Sequence, residues 1–253
     1  MPRSEVALAT RNPKVLYLVS RLLKSLGVEF VMCSPKEKRC KIARVVITTS
    51  GEVKHFHPNQ VVIVEDSAFD EDATTIDIMV KLLDIGTPST VVIGVDPGMT
   101  FGLALLIDGK TVHARSTGPP VIAADETLRW AAKIKQRYQN ETVVRVGTGS
   151  KLFATLYLRY LRGHSGDFRV ELADERHTTL VGESDSQSAI LIASRRGRKV
   201  TDSDYVLDPK NGHIKSLKRF YSRLTGNSKS LSTEDAKSVL LDRLTIEDLM
   251  RRD

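Results

Sequence analysis

Four carboxylates of this 253-residue chain stand where an apolar core could grip them while their heads meet water: Asp96, the adjacent Asp174 and Glu175, and Asp185. Asp96 closes the apolar run Val91-Val92-Ile93-Gly94-Val95, just before Pro97-Gly98 and a second apolar run over 101–107. Such a run reads as a buried strand, whose interior is a costly place for a carboxylate. A strand end beside a tight turn instead holds the group at the rim of the core. Asp96 is therefore either a turn former or a metal ligand, and the acids downstream decide between the two. Asp174 and Glu175 end a later strand over 168–173, and Asp185 lies within Ser184-Asp185-Ser186-Gln187, which has the Ser-x-x-Gln form of a capping box. That places Asp185 in the first turn of a helix, where the macrodipole favours the ionised carboxylate. Singly, each acid has a plain reading as turn, loop solvation or helix cap. Gathered together they would repel one another, and a hard divalent cation such as Mg2+ or Mn2+ would neutralise them through oxygen ligands.

The elements that must position these acids follow from pattern. Residues 89–200 read as one domain of order βββαβαβα. Its first three strands, over 91–96, 101–107 and 110–116, are antiparallel, with Asp108-Gly109 a strong hairpin signal between the second and third. A helix over 124–137 carries Leu128, Trp130, Ala131 and Ile134, and a strand over 143–147 precedes a helix bearing Phe153, Leu156, Leu158 and Leu161. The strand over 168–173 and a helix over 185–195 complete the domain. Residues 1–88 read as a separate small α/β domain, with strands over 6–9, 30–32, 45–47 and 61–64. Its first helix starts at Asn12-Pro13, repeats apolar residues from Val15 to Leu26 at helical spacing and stops at Gly27, and a second covers 76–83. The acidic stretch over 65–72 is read as a solvated loop. Leu8-Ala9-Thr10-Arg11-Asn12-Pro13-Lys14 resembles the first loop of the inosine-triphosphatase family, but no later segment extends that likeness, and it is read as a βα turn. Residues 201–253 form a helical extension with a Ser-rich stretch over 227–233.

Composition sets further bounds. Apolar residues make up 41% and charged residues 27%, as in ordinary soluble globular proteins. No apolar segment reaches membrane-spanning length and the start lacks a signal-peptide core, so cytoplasmic residence without membrane association is expected. Cys33 and Cys40 are too few for a disulfide framework or a four-ligand zinc site, and are read as reduced structural thiols. A net charge of +7 favours an anionic partner. Arg195-Arg196-Gly197-Arg198-Lys199 follows the Asp185 helix directly, while Lys215, Lys218, Arg219 and Arg223 lie on a later one. Such cations contact phosphates without reading base sequence.

Three segments together resemble the RNase H-like superfamily in its RuvC and YqgF (RuvX) branch. Gly94-Val95-Asp96-Pro97-Gly98 with Gly102-Leu103-Ala104 is similar to its first motif, and Asp174-Glu175-Arg176-His177-Thr178-Thr179 to its Asp-Glu-Arg-x-Thr-Thr element. Asp185-Ser186-Gln187-Ser188-Ala189 resembles its closing Asp-x-x-Ala-Ala helix, with Ser188 in place of one alanine. The likeness covers 91–197 and leaves out both the N-terminal domain and the tail. It implies an RNase H-like mixed sheet and Mg2+- or Mn2+-dependent hydrolysis of phosphodiesters in structured nucleic acid, branched DNA or precursor ribosomal RNA. Catalysis would then fall to Asp96, Glu175 and Asp185, with Asp96 bridging two ions about 4 Å apart. Strand alternation sends Asp174 and Glu175 to opposite faces, so both enter the candidate metal set, and Glu175 is favoured. Thr148 and Ser150, in the Gly-rich turn Gly147-Thr148-Gly149-Ser150, join Arg176, Arg195, Arg196, Arg198 and Lys199 as candidate nucleic-acid contacts. Resolvases of the branch take an acid from the fourth strand, and Val143-Val144-Arg145-Val146-Gly147 offers none, which favours the YqgF side. A competing resemblance, to the actin and sugar-kinase ATPases, lacks the second Asp-x-Gly strand-turn those need. The remaining alternative is an RNase H-like binding module without catalysis. A homodimer is compatible with either reading.

Overall fold

A computed structural model describes residues 5–139, 141–164, 168–174 and 184–251. The chain divides into two compact units, Met1–Ser89 and Thr90–Asp253, so the helices after residue 200 belong to the second.

The first unit has a parallel four-stranded sheet of order β2-β1-β3-β4, with β1 Val6–Leu8, β2 Phe30–Met32, β3 Val45–Thr48 and β4 Val61–Ile63. Helix α1, Pro13–Ser25, opens at Asn12, whose side chain accepts from the N–H groups of Lys14 and Val15 at 3.0 and 3.2 Å. Its apolar stripe Val15, Val19, Leu22 and Leu23 is buried with Val6, Leu8, Val45 and Ile47. A short helix α2, Lys38–Lys41, follows β2. Helix α3, Glu71–Leu82, begins earlier than the apolar pattern predicts. Asp70 caps it by accepting from Ala73 N–H at 2.8 Å, and Glu71 and Asp72 complement the dipole in its first turn. Part of the acidic stretch expected to be loop is thus a helix N-terminus. The two cysteines also correct the expectation of free thiols. The Ser34–Glu37 turn folds Cys40 back beneath the end of β2 with a Cα separation of 6.1 Å, and Cys33 and Cys40 form a disulfide.

The second unit is built on a six-stranded mixed sheet of order β10-β9-β8-β5-β6-β7. Its strands are β5 Val91–Asp96, β6 Phe101–Ile107, β7 Lys110–Thr117, β8 Thr142–Gly147, β9 Phe168–Ala173 and β10 Arg198–Lys199. The first three are antiparallel, β5, β8 and β9 run parallel, and β10 pairs antiparallel with β9. Asp108 and Gly109 both adopt positive φ, 48° and 75°, which closes the predicted tight hairpin. Helices α4, Pro120–Tyr138, and α5, Lys151–Arg162, cover the face bearing Phe101, where Tyr157 and Phe153 pack against that ring. The opposite face carries α6, Asp185–Ser194, over Val92, Ala104, Leu106 and Val143. Helices α7, Asn211–Leu224, α8, Thr233–Leu240, and α9, Ile246–Arg251, complete the unit. Phe220 of α7 meets Phe153 with ring centres 5.2 Å apart. Arg159 of α5 donates to the carbonyls of Tyr205, Val239 and Leu240 at 2.9–3.0 Å. Among the described residues no helix is long and apolar enough to cross a membrane.

Candidate active site

Two of the acids singled out from sequence reach one face of the sheet. Strand register pairs Asp96 with Gly102 and Gly94 with Ala104, so these four residues share a face, and α6 crosses it. Small residues set how closely the helix lies. A Cβ on Gly94 would stand 2.7 Å from the Cβ of Ala193 and 2.8 Å from its N atom, so nothing larger than hydrogen fits. A Cβ on Gly102 would overlap the carbonyl of Asp185. The backbones of Asp96 and Asp185 therefore flank Gly102, one beside it in the sheet and the other above it. Both residues are half-buried, Asp96 at the end of β5 and Asp185 at the start of α6.

The capping box fixes Asp185 in place. The N–H of Gln187 donates to Ser184 Oγ at 3.4 Å, and Gln187 Oε1 accepts from Ser184 N–H at 3.0 Å. Asp185 is accordingly the first residue of α6, at its positive end. The other end of the helix is tied to the sheet by Arg145 of β8, a cation where the sequence motif led only to the expectation of a missing acid. Arg145 shares the α6 face, donates from Nη1 to the carbonyl of Ala193 at 2.7 Å, and donates from Nε to Glu171 at 3.0 Å. Burial opposes the charge of Glu171, but hydrogen bonds and charge from Arg145 and Arg169 outweigh it and hold the carboxyl below its ordinary range. Cross-strand register, Arg145 opposite Glu171, is the signal that would have found this pair.

The remaining candidates are spread more widely. Ala173 pairs with Gly147 on the Asp96 side, so the alternation carries Asp174, one residue on, toward the other face. Asp174 is exposed, and its carbonyl accepts from Arg195 Nη1 at 2.6 Å. Glu175 and Arg176 lie outside the described residues. Among the described residues no three His, Cys, Asp or Glu side chains converge on a point that could hold a metal ion. Thr148 uses both its N–H, at 3.2 Å, and its hydroxyl, at 3.3 Å, to close on the carbonyl of Ala173. Ser150 occupies the N-cap of α5 without a side-chain capping bond. Arg196 and Lys199 are exposed. Arg198 is gripped in a two-pronged pair with Asp204, at 2.6 and 2.8 Å. That hydrogen bonding, with Thr201 adding to it against the cost of burial, holds the Asp204 carboxyl well below the ordinary range. Thr148, Arg198 and Asp204, with Lys151 and Thr155, line a cavity of about 290 Å³ on the α5 side of the sheet.

No family profile and no curated protein matches the chain. Among solved structures, Marinitoga piezophila Argonaute, determined with a 5′-OH guide RNA and target DNA, aligns at 10% identity over 67% of this chain and 39% of that one, with a TM-score of 0.29. The Aquifex aeolicus PPX-GPPA enzyme aligns at 14% identity over 94% of this chain and 72% of that one, with a TM-score of 0.17. The chain thus spans well under half the length of the Argonaute, and neither score is high enough to assign a fold or an activity.

Proposed function

We propose that the second unit is an RNase H-like nuclease on the YqgF side of the RuvC/YqgF branch, cutting phosphodiesters in branched DNA or structured RNA with Mg2+ or Mn2+. The observation that carries this reading is the placement of Asp96 and Asp185 on either side of Gly102, at the open edge of one sheet face. The sheet order, with three antiparallel strands followed by two parallel ones and a helix laid across on small residues, agrees with what the sequence motifs imply.

The donor set suits the proposed ion. Asp96 and Asp185 offer only carboxylate oxygens, the ligands that hard divalent cations take. The glycine between them lets the first turn of α6 settle onto the sheet, which brings the backbone of Asp185 close to the Asp96 edge. Such a cation, when bound, supplies the charge that activates a water and stabilises the leaving oxygen. The protein's own part is to hold the two carboxylates: Asp96 by the sheet and its Pro97-Gly98 turn, Asp185 by its capping box and the close seat of α6. Arg195, Arg196 and Lys199 follow that helix and would contact strand phosphates beside the cut. Incubation with a panel of branched DNAs and structured RNAs in Mg2+ or Mn2+ should give cleavage, and Asp96→Asn should abolish it. An intact panel, or equal cutting by Asp96→Asn, would remove the nuclease reading and leave a binding module.

A further inference from the structure

Helix α7 carries no acidic residue; its sequence is Asn-Gly-His-Ile-Lys-Ser-Leu-Lys-Arg-Phe-Tyr-Ser-Arg-Leu. Its apolar face, Ile214, Leu217, Phe220 and Tyr221, is buried. Lys215, Arg219 and Arg223 fall at i, i+4 and i+8 on the opposite side, and all three are exposed. Among the described residues neither Lys215 nor Arg219 forms a salt bridge, so the stripe is not neutralised from within the unit. Arg223 ends it beside the candidate site, where its Nη1 lies 3.4 Å from Sδ of Met99 in the turn that follows Asp96.

Complementing the helix dipole explains Arg223, in the last turn, but not the other two. Lys215 stands one turn from the positive end of α7, where a cation is disfavoured. We propose that the Lys215–Arg219–Arg223 stripe is a phosphate rail that binds the sugar–phosphate backbone of a nucleic-acid strand and leads it to the Asp96 edge. The direction of the rail rests on the nuclease reading of that edge; the binding itself does not. Eight residues of helix rise about 12 Å, the length of about three to four phosphates along one strand.

Each strand phosphate neutralised releases about 0.7 of a counterion, worth about four-fold in affinity at about 0.15 M salt. The variant Lys215→Ala, Arg219→Ala, Arg223→Ala should therefore bind labelled single-stranded DNA or RNA about 50-fold more weakly at that salt. The slope of log affinity against log salt should shrink by about 2. Anisotropy titrations in EDTA keep cleavage out of the readout, so loss of the rail and loss of the nuclease reading are told apart. A control with Arg21, Lys24 and Lys54 changed to alanine, all exposed in the first unit, removes equal charge and should bind as the parent does. The rail is overturned if the α7 variant keeps the parent affinity and slope, or if the control loses as much. It is equally overturned if the variant loses only binding to anionic phospholipid vesicles. The variant Lys215→Gln, Arg219→Gln, Arg223→Gln, which keeps long helix-forming side chains, should show the same loss, and parent-like binding by it overturns the rail as well.

Discussion

Replacing Gly102 by alanine tests the geometry on which the site depends. The new Cβ would overlap the carbonyl oxygen and carbon of Asp185 and lie 3.1 Å from the amide of Ser186. Carbon contacts are comfortable at about 3.5–4.0 Å, so the first turn of α6 must lift by on the order of 1 Å. These neighbours are backbone and cannot rotate aside, which places the cost at the upper end of overpacking, about 3 kcal/mol. For a unit of this size that corresponds to a fall in melting temperature of about 6–12 °C. Asp185 would move with the turn, and under the proposed nuclease role a misplacement of about 1 Å should cost about 100-fold in rate. The assay is thermal unfolding followed by circular dichroism, with kcat/KM for cleavage measured well below the lowered transition. Gly86→Ala is the control, because a Cβ there meets nothing within 4 Å, and it should change stability by less than about 0.5 kcal/mol. A Gly102→Ala protein that melts with its parent would refute the close seating of α6, and one that also matched the parent in any cleavage would remove Asp185 from the proposed site.

Arg145→Met should cost about 2 kcal/mol in urea unfolding, because it leaves the carbonyl of Ala193 without its donor and Glu171 with Arg169 alone; an unchanged midpoint would show that Arg145 does not anchor α6. The Asp204 carboxyl titrates lower in the folded chain than its unfolded value of about 3.9, so the stability it lends is complete above about pH 4 and lost as pH falls toward its folded value. Asp204→Asn should flatten that acid limb, and an identical pH profile would contradict the Arg198–Asp204 pairing. In denaturant without reductant neither cysteine should take up iodoacetamide, and both should after reduction. The reduced form should lose about 2.5 kcal/mol, the loop-closure effect of so short a ring; labelling of both thiols before reduction would rule the bridge out.

Local signals were legible where short-range chemistry decides the structure. Asp108-Gly109 announces a hairpin because the turn needs positive φ at both residues, and Ser184 with Gln187 announces a helix start because each satisfies the other's backbone. The strand–helix order of both units follows from periodicities that are also local. What could not be read depends on which strands become neighbours. Arg145 and Glu171 face each other only once β8 lies beside β9, and Arg198 meets Asp204 only because a short turn folds back beside β10. Gly94 and Gly102 were visible as motif glycines, but their physical role, admitting α6 to the sheet, needs the helix in place. The Cys33–Cys40 bridge was missed because counting thiols says nothing of the turn between them. The element ends that carry Asp96 and Asp185, by contrast, were legible from sequence because each is marked by its own turn or cap.

The most direct measurement is anomalous diffraction from crystals soaked in Mn2+. A peak is expected between the carboxylates of Asp96 and Asp185, on the α6 side of the sheet, and should disappear in Asp96→Asn. Manganese bound elsewhere with that space empty, or a peak that survives Asp96→Asn unchanged, would contradict the proposed site.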